Sequence, residues 1–282
     1  MNTLARLGLA FALLLCAVGR AATPARPNII FILADDMGSA DLGCYGGKQS
    51  PTPRIDRMAK EGTQFMQYYS ASPICSPSRC GLITGNYPAR WNITSFLQTR
   101  AGNAGCEMAD YLDAAAPTLP RALKAAGYAT AHFGKWHVGR TDPSRHGFDA
   151  SDGATSNGGP DNVASPNPKQ AYGMTERGLA FMAKAKAEGR PFYVQMSHYP
   201  NQERKEGARP GRDSAVADAD EIDKTFGLVL DGIARLGLTG TTYIFYTADH
   251  GGQGRTGNAP LSGGKGSVLE GGLRVPFLVS GP

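Results

Sequence analysis

Short apolar runs alternate with amphipathic segments along the chain. Four runs have the length of β-strands: Asn28 to Ala34, Tyr128 to Phe133, Pro191 to Ser197 and Thr242 to Ala248. The first and the last are apolar almost throughout, which is typical of central parallel strands that are covered on both faces. Two further strands are predicted at Phe65 to Tyr69 and at Leu273 to Val279.

Between these runs, four segments show helical spacing of apolar residues or helix-ending glycines. They are Thr52 to Glu61, Leu119 to Ala126, Thr175 to Lys186 and Asp213 to Leu236. The acidic start of the last helix is interpreted as a solvated face (Asp218, Asp220, Glu221, Asp223). Residues 99–116 show no period and are predicted as loop. Residues 149–171, rich in Gly, Asn, Pro and Ser, are predicted as a long loop at the rim of a site.

Composition is that of a globular protein with many loops. The 282 residues suffice for one large α/β domain, with 41% hydrophobic and 19% charged residues, 37 glycines and 19 prolines. The net charge of +5 includes no dense run of Lys and Arg, so we expect no nucleic-acid partner. A mild positive charge is compatible with an anionic substrate.

The N-terminus has the pattern of a signal peptide over residues 1–21. Arg6 precedes the apolar run Leu7 to Val18, and small residues follow near a cleavage point. The run is short for a membrane span, so we expect an exported, periplasmic or secreted protein without one. A lipoprotein modified at Cys16 is the alternative, disfavoured by the bulky Leu15.

The segment from Ile74 to Gly85, I-C-S-P-S-R-C-G-L-I-T-G, carries the most specific pattern. Pro77 suits the first turn of a helix, and Gly85 can end that helix. Cys75 is then expected just before the helix N-terminus, where the helix dipole lowers a thiol pKa, and Arg79 can add a positive charge. This arrangement is suited to binding an anion next to a nucleophilic side chain. The alternative is a buried structural cysteine.

Carboxylates follow two of the predicted central strands. Asp35 and Asp36 end the first, where adjacent carboxylates repel each other and call for a cation. Asp249 and His250 end the strand Thr242 to Ala248 in the same way. The alternative for the first pair is one solvated Asp and one helix cap. A nitrogen ligand at His250 is less usual for calcium.

Basic side chains follow other strands and a glycine-rich loop. Lys135 and His137, in G-K-W-H-V-G, lie two residues apart and point to one side of an extended segment. Together they can bind one anion and transfer a proton. His198 follows the strand Pro191 to Ser197, where it could also simply cap the strand. Glycines around Lys265 allow its loop to approach an anion closely.

Five motifs, in the family's order, resemble the type I, formylglycine-dependent sulfatases, with a general similarity to arylsulfatases and N-acetylgalactosamine-6-sulfatases. They are R-P-N-I-I-F-I-L-A-D-D-M-G, T-P-R-I-D-R-M-A-K-E-G-T-Q-F, C-S-P-S-R-C-G-L-I-T-G, G-K-W-H and G-G-K-G-S. The resemblance implies an alkaline-phosphatase-like α/β fold, with a mostly parallel sheet and helices on both faces. It covers residues 22–282 as a catalytic domain truncated at its C-terminal end, so we expect the family's C-terminal antiparallel subdomain to be absent.

The resemblance also implies cofactors. Asp35, Asp36, Asp249 and His250 would hold one calcium ion beside Cys75, which a formylglycine-generating enzyme would oxidise to formylglycine. At most one disulfide is then expected among the remaining cysteines of the mature chain: Cys44, Cys80 and Cys106.

The implied chemistry begins with attack on sulfur by a hydroxyl of the hydrated aldehyde. Arg79, Lys135 and Lys265 would neutralise charge on the sulfuryl oxygens. His198, with Lys265, would protonate the leaving alcohol, and His137 would take the proton from the remaining hydroxyl so that sulfate leaves.

The predicted function is hydrolysis of sulfate esters, either aryl sulfates or sulfated carbohydrates. A phosphonate or phosphate ester hydrolase is the nearer alternative, because relatives use the same aldehyde on phosphorus. A non-catalytic protein that binds sulfated glycans is the more distant one. The motifs specify neither the sugar nor endo or exo action.

Overall fold

The computed structural model describes residues 26–157, 171–199, 212–253 and 256–282. The predicted signal peptide, with Cys16, and most of the predicted rim loop lie outside the described residues. Export and the domain boundaries therefore stay predictions.

One seven-stranded sheet, in the order β2-β7-β6-β1-β5-β3-β4, forms the centre of the described chain. Its strands are β1 (Asn28–Ala34), β2 (Thr63–Phe65), β3 (Ala129–Gly134), β4 (Ala150–Ser151), β5 (Phe192–Ser197), β6 (Thr242–Ala248) and β7 (Phe277–Ser280). Strands β6, β1, β5, β3 and β4 are parallel. β7 runs antiparallel to β6, and β2 antiparallel to β7. The prediction of a mostly parallel sheet is confirmed.

Seven α-helices complete the described fold. They are α1 (Pro53–Glu61), α2 (Cys75–Thr84), α3 (Arg100–Gly105), α4 (Leu119–Ala125), α5 (Ala171–Ala187), α6 (Arg212–Arg235) and α7 (Glu270–Leu273).

Helices cover both faces of the sheet, because alternate residues of the central strand enter two separate cores. Ile30 and Ile32 of β1 pack in one core with residues of α1, α5 and α6 such as Met58, Met182 and Phe226. Phe31 and Leu33 pack in the other core, with Cys80 and Ile83 of α2. This alternation is the two-residue period of a strand that is buried on both sides. The predicted layered architecture is therefore confirmed.

Three peripheral segments differ from prediction. Of Phe65 to Tyr69, only Phe65 belongs to β2, and Tyr69 makes an isolated bridge with Arg274. Of Leu273 to Val279, the first residue ends α7 and the strand begins at Phe277. Within residues 99–116, α3 is a short helix whose sequence, R-A-G-N-A-G, has no apolar period to reveal it.

The acidic start of α6 is not wholly solvated, contrary to the interpretation from sequence. Asp223 is 2% exposed. Its Oδ1 accepts hydrogen bonds from the backbone N–H groups of Arg54 and Ile55, both at 2.9 Å. A carboxylate from α6 thus satisfies the free N–H groups at the start of α1.

The described cysteines Cys44, Cys75, Cys80 and Cys106 form no disulfide with one another. Among the described residues, no helix has the length and apolar character that a membrane crossing requires.

Candidate active site

Parallel strands bring their carboxyl ends to one edge of the sheet, and most of the predicted site residues follow those ends. There, Asp35, Cys75, Asp249 and His250 each present a possible metal-ligand atom, and these four atoms lie within 4.8 Å of one another. All four side chains are buried. Residues from β1, α2 and β6 therefore converge as the sequence predicted.

Cys75 lies in the first turn of α2, with Ile74 as the N-cap, one position further into the helix than expected. Its Sγ is 3.1 Å from Nε2 of His250 and 3.6 Å from Nζ of Lys135. Burial, together with the negative charges of Asp35 and Asp249, raises the pKa of the thiol. The expected lowering is wrong because burial and two carboxylates outweigh the helix dipole and the nearby cations.

Arg79 is the central cation of the cluster. It is 4% exposed, and its guanidinium donates to Oδ2 of Asp249 at 3.0 and 3.1 Å and to Oδ2 of Asp35 at 2.9 Å. Its remaining nitrogen donates to the carbonyl of Lys135 at 2.6 Å. One planar side chain thus fixes β1, β3 and β6 relative to α2, as the fork geometry of arginine allows.

Lys135 forms a buried ion pair with Asp35. Burial alone would raise the pKa of Asp35, but the charges of Lys135 and Arg79 outweigh it and hold that pKa far below its usual range. Asp35 is therefore a carboxylate throughout the physiological pH range.

Asp36 has a φ of 60°, in the left-handed region. Its carboxylate accepts from Nζ of Lys265 at 2.6 and 2.8 Å and lies 3.4 Å from Nε2 of His250. Burial and the charge of Asp35 raise its pKa to about 6. The left-handed backbone conformation at Asp36 thus occurs where a second carboxylate lies directly beside that of Asp35.

His250 is oriented as a metal ligand would be. Its Nδ1 lies 2.9 Å from the carbonyl of Gly251, which can only accept, so Nδ1 carries the proton. Nε2 then faces the Cys75 sulfur at 3.1 Å and an Asp249 oxygen at 3.4 Å. A histidine that donates its other N–H to a backbone carbonyl is typical of metal sites.

His137 has a φ of 52° and is 3% exposed. Its Nε2 lies 3.2 Å from the carbonyl of Leu97, which fixes the proton on Nε2, and Nδ1 has no hydrogen-bond partner among the described residues. Burial and the charges of Lys135 and Arg79 lower its pKa to about 4. His137 is therefore neutral at pH 7, with a free lone pair on Nδ1.

His198 is placed differently from the other predicted residues. It follows β5, and its Nε2 is 3.3 Å from the hydroxyl of Thr225 on α6. Burial lowers its pKa to about 4. Among the described residues, no hydrogen bond joins it to Cys75 or Lys265, so its role as a proton donor stays a prediction.

Sequence reasoning missed several residues that hold the site in place. The Ser78 hydroxyl donates to the Asp249 carbonyl, and Ser76 Oγ accepts from the Leu97 N–H at 2.9 Å. Asn258 binds both the N–H and the carbonyl of Gly252, whose carbonyl also accepts from the Lys265 N–H. The two serines lie inside the Cys75 motif and could have been predicted from it to support the site. No pattern in the sequence distinguishes Asn258.

A sequence model of the Sulfatase family matches residues 27–282, nearly the whole described chain. The chain belongs to the sulfatase family. Its N-acetylgalactosamine-6-sulfatase relative from Homo sapiens is 34% identical over 94% of this chain, and Arylsulfatase A from Homo sapiens is 31% identical over 96%. The structure of Ps i-CgsB in complex with k-i-k-neocarrahexaose superposes with a TM-score of 0.78 and 28% identity over 91% of this chain.

This sulfatase-family chain spans only part of those relatives. It covers 59% of N-acetylgalactosamine-6-sulfatase, 62% of Arylsulfatase A and 66% of the Ps i-CgsB chain.

Proposed function

We propose that this chain carries the catalytic centre of a sulfuric ester hydrolase that acts on sulfated carbohydrates or aryl sulfates. The observation that supports this most is the convergence of Cys75, three carboxylates and three cations at one buried edge of the sheet. Family membership supports the same reaction class.

The donor set fits one divalent cation. Ligand atoms of Asp35, Asp249 and His250 lie within 4.8 Å of one another, with Asp36 beside His250. Carboxylate oxygens favour calcium, whereas the histidine nitrogen is also compatible with other divalent metals. When bound, the cation would supply positive charge to the oxygens of a sulfate ester.

Charge balance favours an anionic substrate in such a site. The carboxylates of Asp35, Asp36 and Asp249 are matched by the side chains of Arg79, Lys135 and Lys265. A bound divalent cation therefore leaves the cluster with excess positive charge. An ester that carries one negative charge is attracted to it.

Cys75 is proposed to be oxidised by a formylglycine-generating enzyme to formylglycine, whose hydrated aldehyde would supply the hydroxyl that attacks sulfur. The structure favours an unusual role for this residue, since Lys135 and His250 both contact its side-chain sulfur.

Four other residues would carry charge and protons. Arg79 holds Asp35 and Asp249 in place, and Lys135 lies close enough to Cys75 to contact a sulfuryl oxygen there. Lys265 is held beside Asp36 by its ion pair. His137, neutral with a free Nδ1, is suited to accept the proton that must leave before sulfate is released.

A glycan substrate is supported by the neighbouring structure that holds a neocarrahexaose. Export to a periplasmic or extracellular location, proposed from the N-terminal sequence, would place the protein where such polysaccharides occur.

The decisive experiment measures kcat/KM for 4-nitrophenyl sulfate and for a phenylphosphonate monoester. The protein is produced with a formylglycine-generating enzyme, and mass spectrometry confirms the aldehyde at Cys75. We expect the sulfate to be preferred and Cys75→Ala to abolish turnover, while Cys106→Ala, at an exposed cysteine, leaves it unchanged.

A preference for the phosphonate would identify a phosphonate hydrolase. Binding of sulfated glycans without turnover of either ester, despite the aldehyde, would identify a non-catalytic binding protein.

A further inference from the structure

A cleft of about 620 Å³ borders the active site on the side of His137. Its lining comes mainly from three segments, namely Phe96 to Arg100 at the start of α3, Gly139 with Arg140, and Ala154 to Asn157. We name this space the rim cleft. Its volume is that of a ligand-sized site.

The rim cleft is attached directly to the predicted catalytic residues. The backbone N–H of Leu97, in its wall, donates to the hydroxyl of Ser76, the residue after Cys75. The carbonyl of Leu97 accepts from Nε2 of His137. His137 itself lines the cleft, is 3% exposed and has an Nδ1 without a partner in the described part of the chain. Leu97 and His137 thus connect the wall of the cleft to the start of the helix that carries Cys75.

Two guanidinium groups in the cleft share one carboxylate. Nε of Arg100 and a terminal nitrogen of Arg140 each lie 3.5 Å from Oδ2 of Asp110. Asn103 donates to the other oxygen of Asp110 at 3.0 Å and so fixes its orientation. Two positive charges against one negative charge leave this wall of the cleft with an excess positive charge.

The two arginines are able to bind a further group. Their side chains are 82% and 67% exposed, and exposed ion pairs of this length are weak. Arg140 also lies over the ring of Tyr111, 6.0 Å from its centre, which restricts its position. Guanidinium groups bind sulfate and carboxylate oxygens through paired hydrogen bonds, so the geometry suits a second anion.

We infer that Arg100 and Arg140 bind a second anionic group, a sulfate ester or a carboxylate, on the glycan whose sulfate ester lies at Cys75. This inference rests on the proposed function for the position of the first sulfate. Phe96, 39% exposed in the cleft wall, offers an apolar surface to a sugar ring in the cleft. The site thus favours glycans with closely spaced negative charges.

The test measures binding by isothermal titration calorimetry, which does not require turnover. The probes are N-acetylgalactosamine 6-sulfate with one anion, N-acetylgalactosamine 4,6-disulfate with a second sulfate, and the chondroitin 6-sulfate disaccharide with an added carboxylate. The variant is Arg100→Gln/Arg140→Gln. Its charge-matched control is Arg57→Gln/Lys60→Gln, at exposed positions of α1.

We expect the wild type to bind at least one two-anion probe roughly tenfold more tightly than the monosulfate, since charge-assisted hydrogen bonds are the strong ones. The cleft variant should lose that advantage, and the control should keep it. The probe that loses affinity shows whether the second group is a sulfate or a carboxylate.

Turnover of 4-nitrophenyl sulfate, which has no second anion, separates this inference from the proposed function. It should stay within about twofold of wild type in the cleft variant, because exposed ion pairs contribute little. An equal loss for every ligand, or a wild type that binds all three probes alike, would overturn the inference. A wild type that binds the two-anion probe tightly but hydrolyses no ester would overturn the proposed function alone.

Discussion

At the scale of single residues, some buried ionisable groups in the described part of the chain have charged partners, and others are kept neutral. Arg79 belongs to the first kind, with bonds to two carboxylates and a carbonyl. His132 belongs to the second. It is 0% exposed, packs against Trp136 and Phe148, and its Nε2 is 3.2 Å from the Ser197 hydroxyl.

Because His132 is buried in its neutral form, the free energy of unfolding depends on pH. Burial and the charge of Arg79 lower its pKa from 6.5 to about 3, so the unfolded chain binds a proton at a pH where the folded chain does not. This contribution to stability is complete above the unfolded pKa and is lost as pH falls through about 6.5 toward 3. Between pH 7 and pH 5, His132 should account for a loss of about 2 kcal/mol in the free energy of unfolding.

Urea unfolding at the two pH values measures this loss. In His132→Gln, which keeps a hydrogen-bonding group but does not titrate, the pH dependence should shrink by that amount. An unchanged pH dependence in the variant would show that other groups cause it.

The sequence predicted which residues form the site better than it predicted their electrostatics. The strand ends after β1 and β6 and the Cys75 motif were sufficient to predict that Asp35, Cys75 and Asp249 meet. The direction of the Cys75 pKa shift was not predictable, because it depends on burial and on carboxylates from two distant segments. The contact of His198 with Thr225 depends on how α6 packs, which no local pattern encodes.

At the scale of elements, the start of α1 is stabilised from outside the helix. Two of its first backbone N–H groups donate to Asp223 of α6, and the Arg54 side chain adds an ion pair at 3.2 Å. From the sequence alone, Asp223 is interpreted as one of several acids on a solvated face, because no local pattern separates it from the other acids there. Only the packing of α6 against α1 distinguishes it.

Asp223→Ala should therefore lower the free energy of unfolding by about 2–3 kcal/mol, since it leaves buried N–H groups without acceptors. Asp220→Ala is the matched control, because Asp220 is half-exposed and pairs with Lys224 on the same helix face. We expect the control to cost less than about 0.5 kcal/mol. Chemical denaturation compares the two, and equal losses would refute the capping role of Asp223.

At the scale of the whole molecule, the carboxylate cluster joins segments from both ends of the described chain. Asp35 follows β1, and Asp249 follows β6, the strand paired with it in the sheet. The predicted parallel centre rested on long apolar runs and was confirmed. The short antiparallel strands at the β2 edge carry weak local patterns, so their limits could not be predicted.

A cation bound to this cluster should stabilise the entire fold. Calcium at about 100 times its Kd would add about 2.7 kcal/mol if it binds only the folded chain, which corresponds to several degrees in Tm. Differential scanning calorimetry with calcium and with a chelator measures the shift. Asp249→Asn should abolish the shift, and Asp113→Asn, at an exposed acid, should retain it.

A shift that survives in Asp249→Asn would place the cation elsewhere. A shift larger with another divalent metal than with calcium would change the identity of the metal, consistent with the nitrogen of His250.

The order of strands in the sheet also determines when the centre of the sheet can form while the chain is being synthesised. β1 leaves the ribosome early, yet its two neighbours, β5 and β6, are made much later. Until β6 emerges, the centre of the sheet cannot close, and pairing between segments so distant in sequence is slow. In the folded chain Cys75 is only 3% exposed. The enzyme proposed to oxidise the Cys75 thiol would therefore have to reach it in that interval, before β6 joins the sheet.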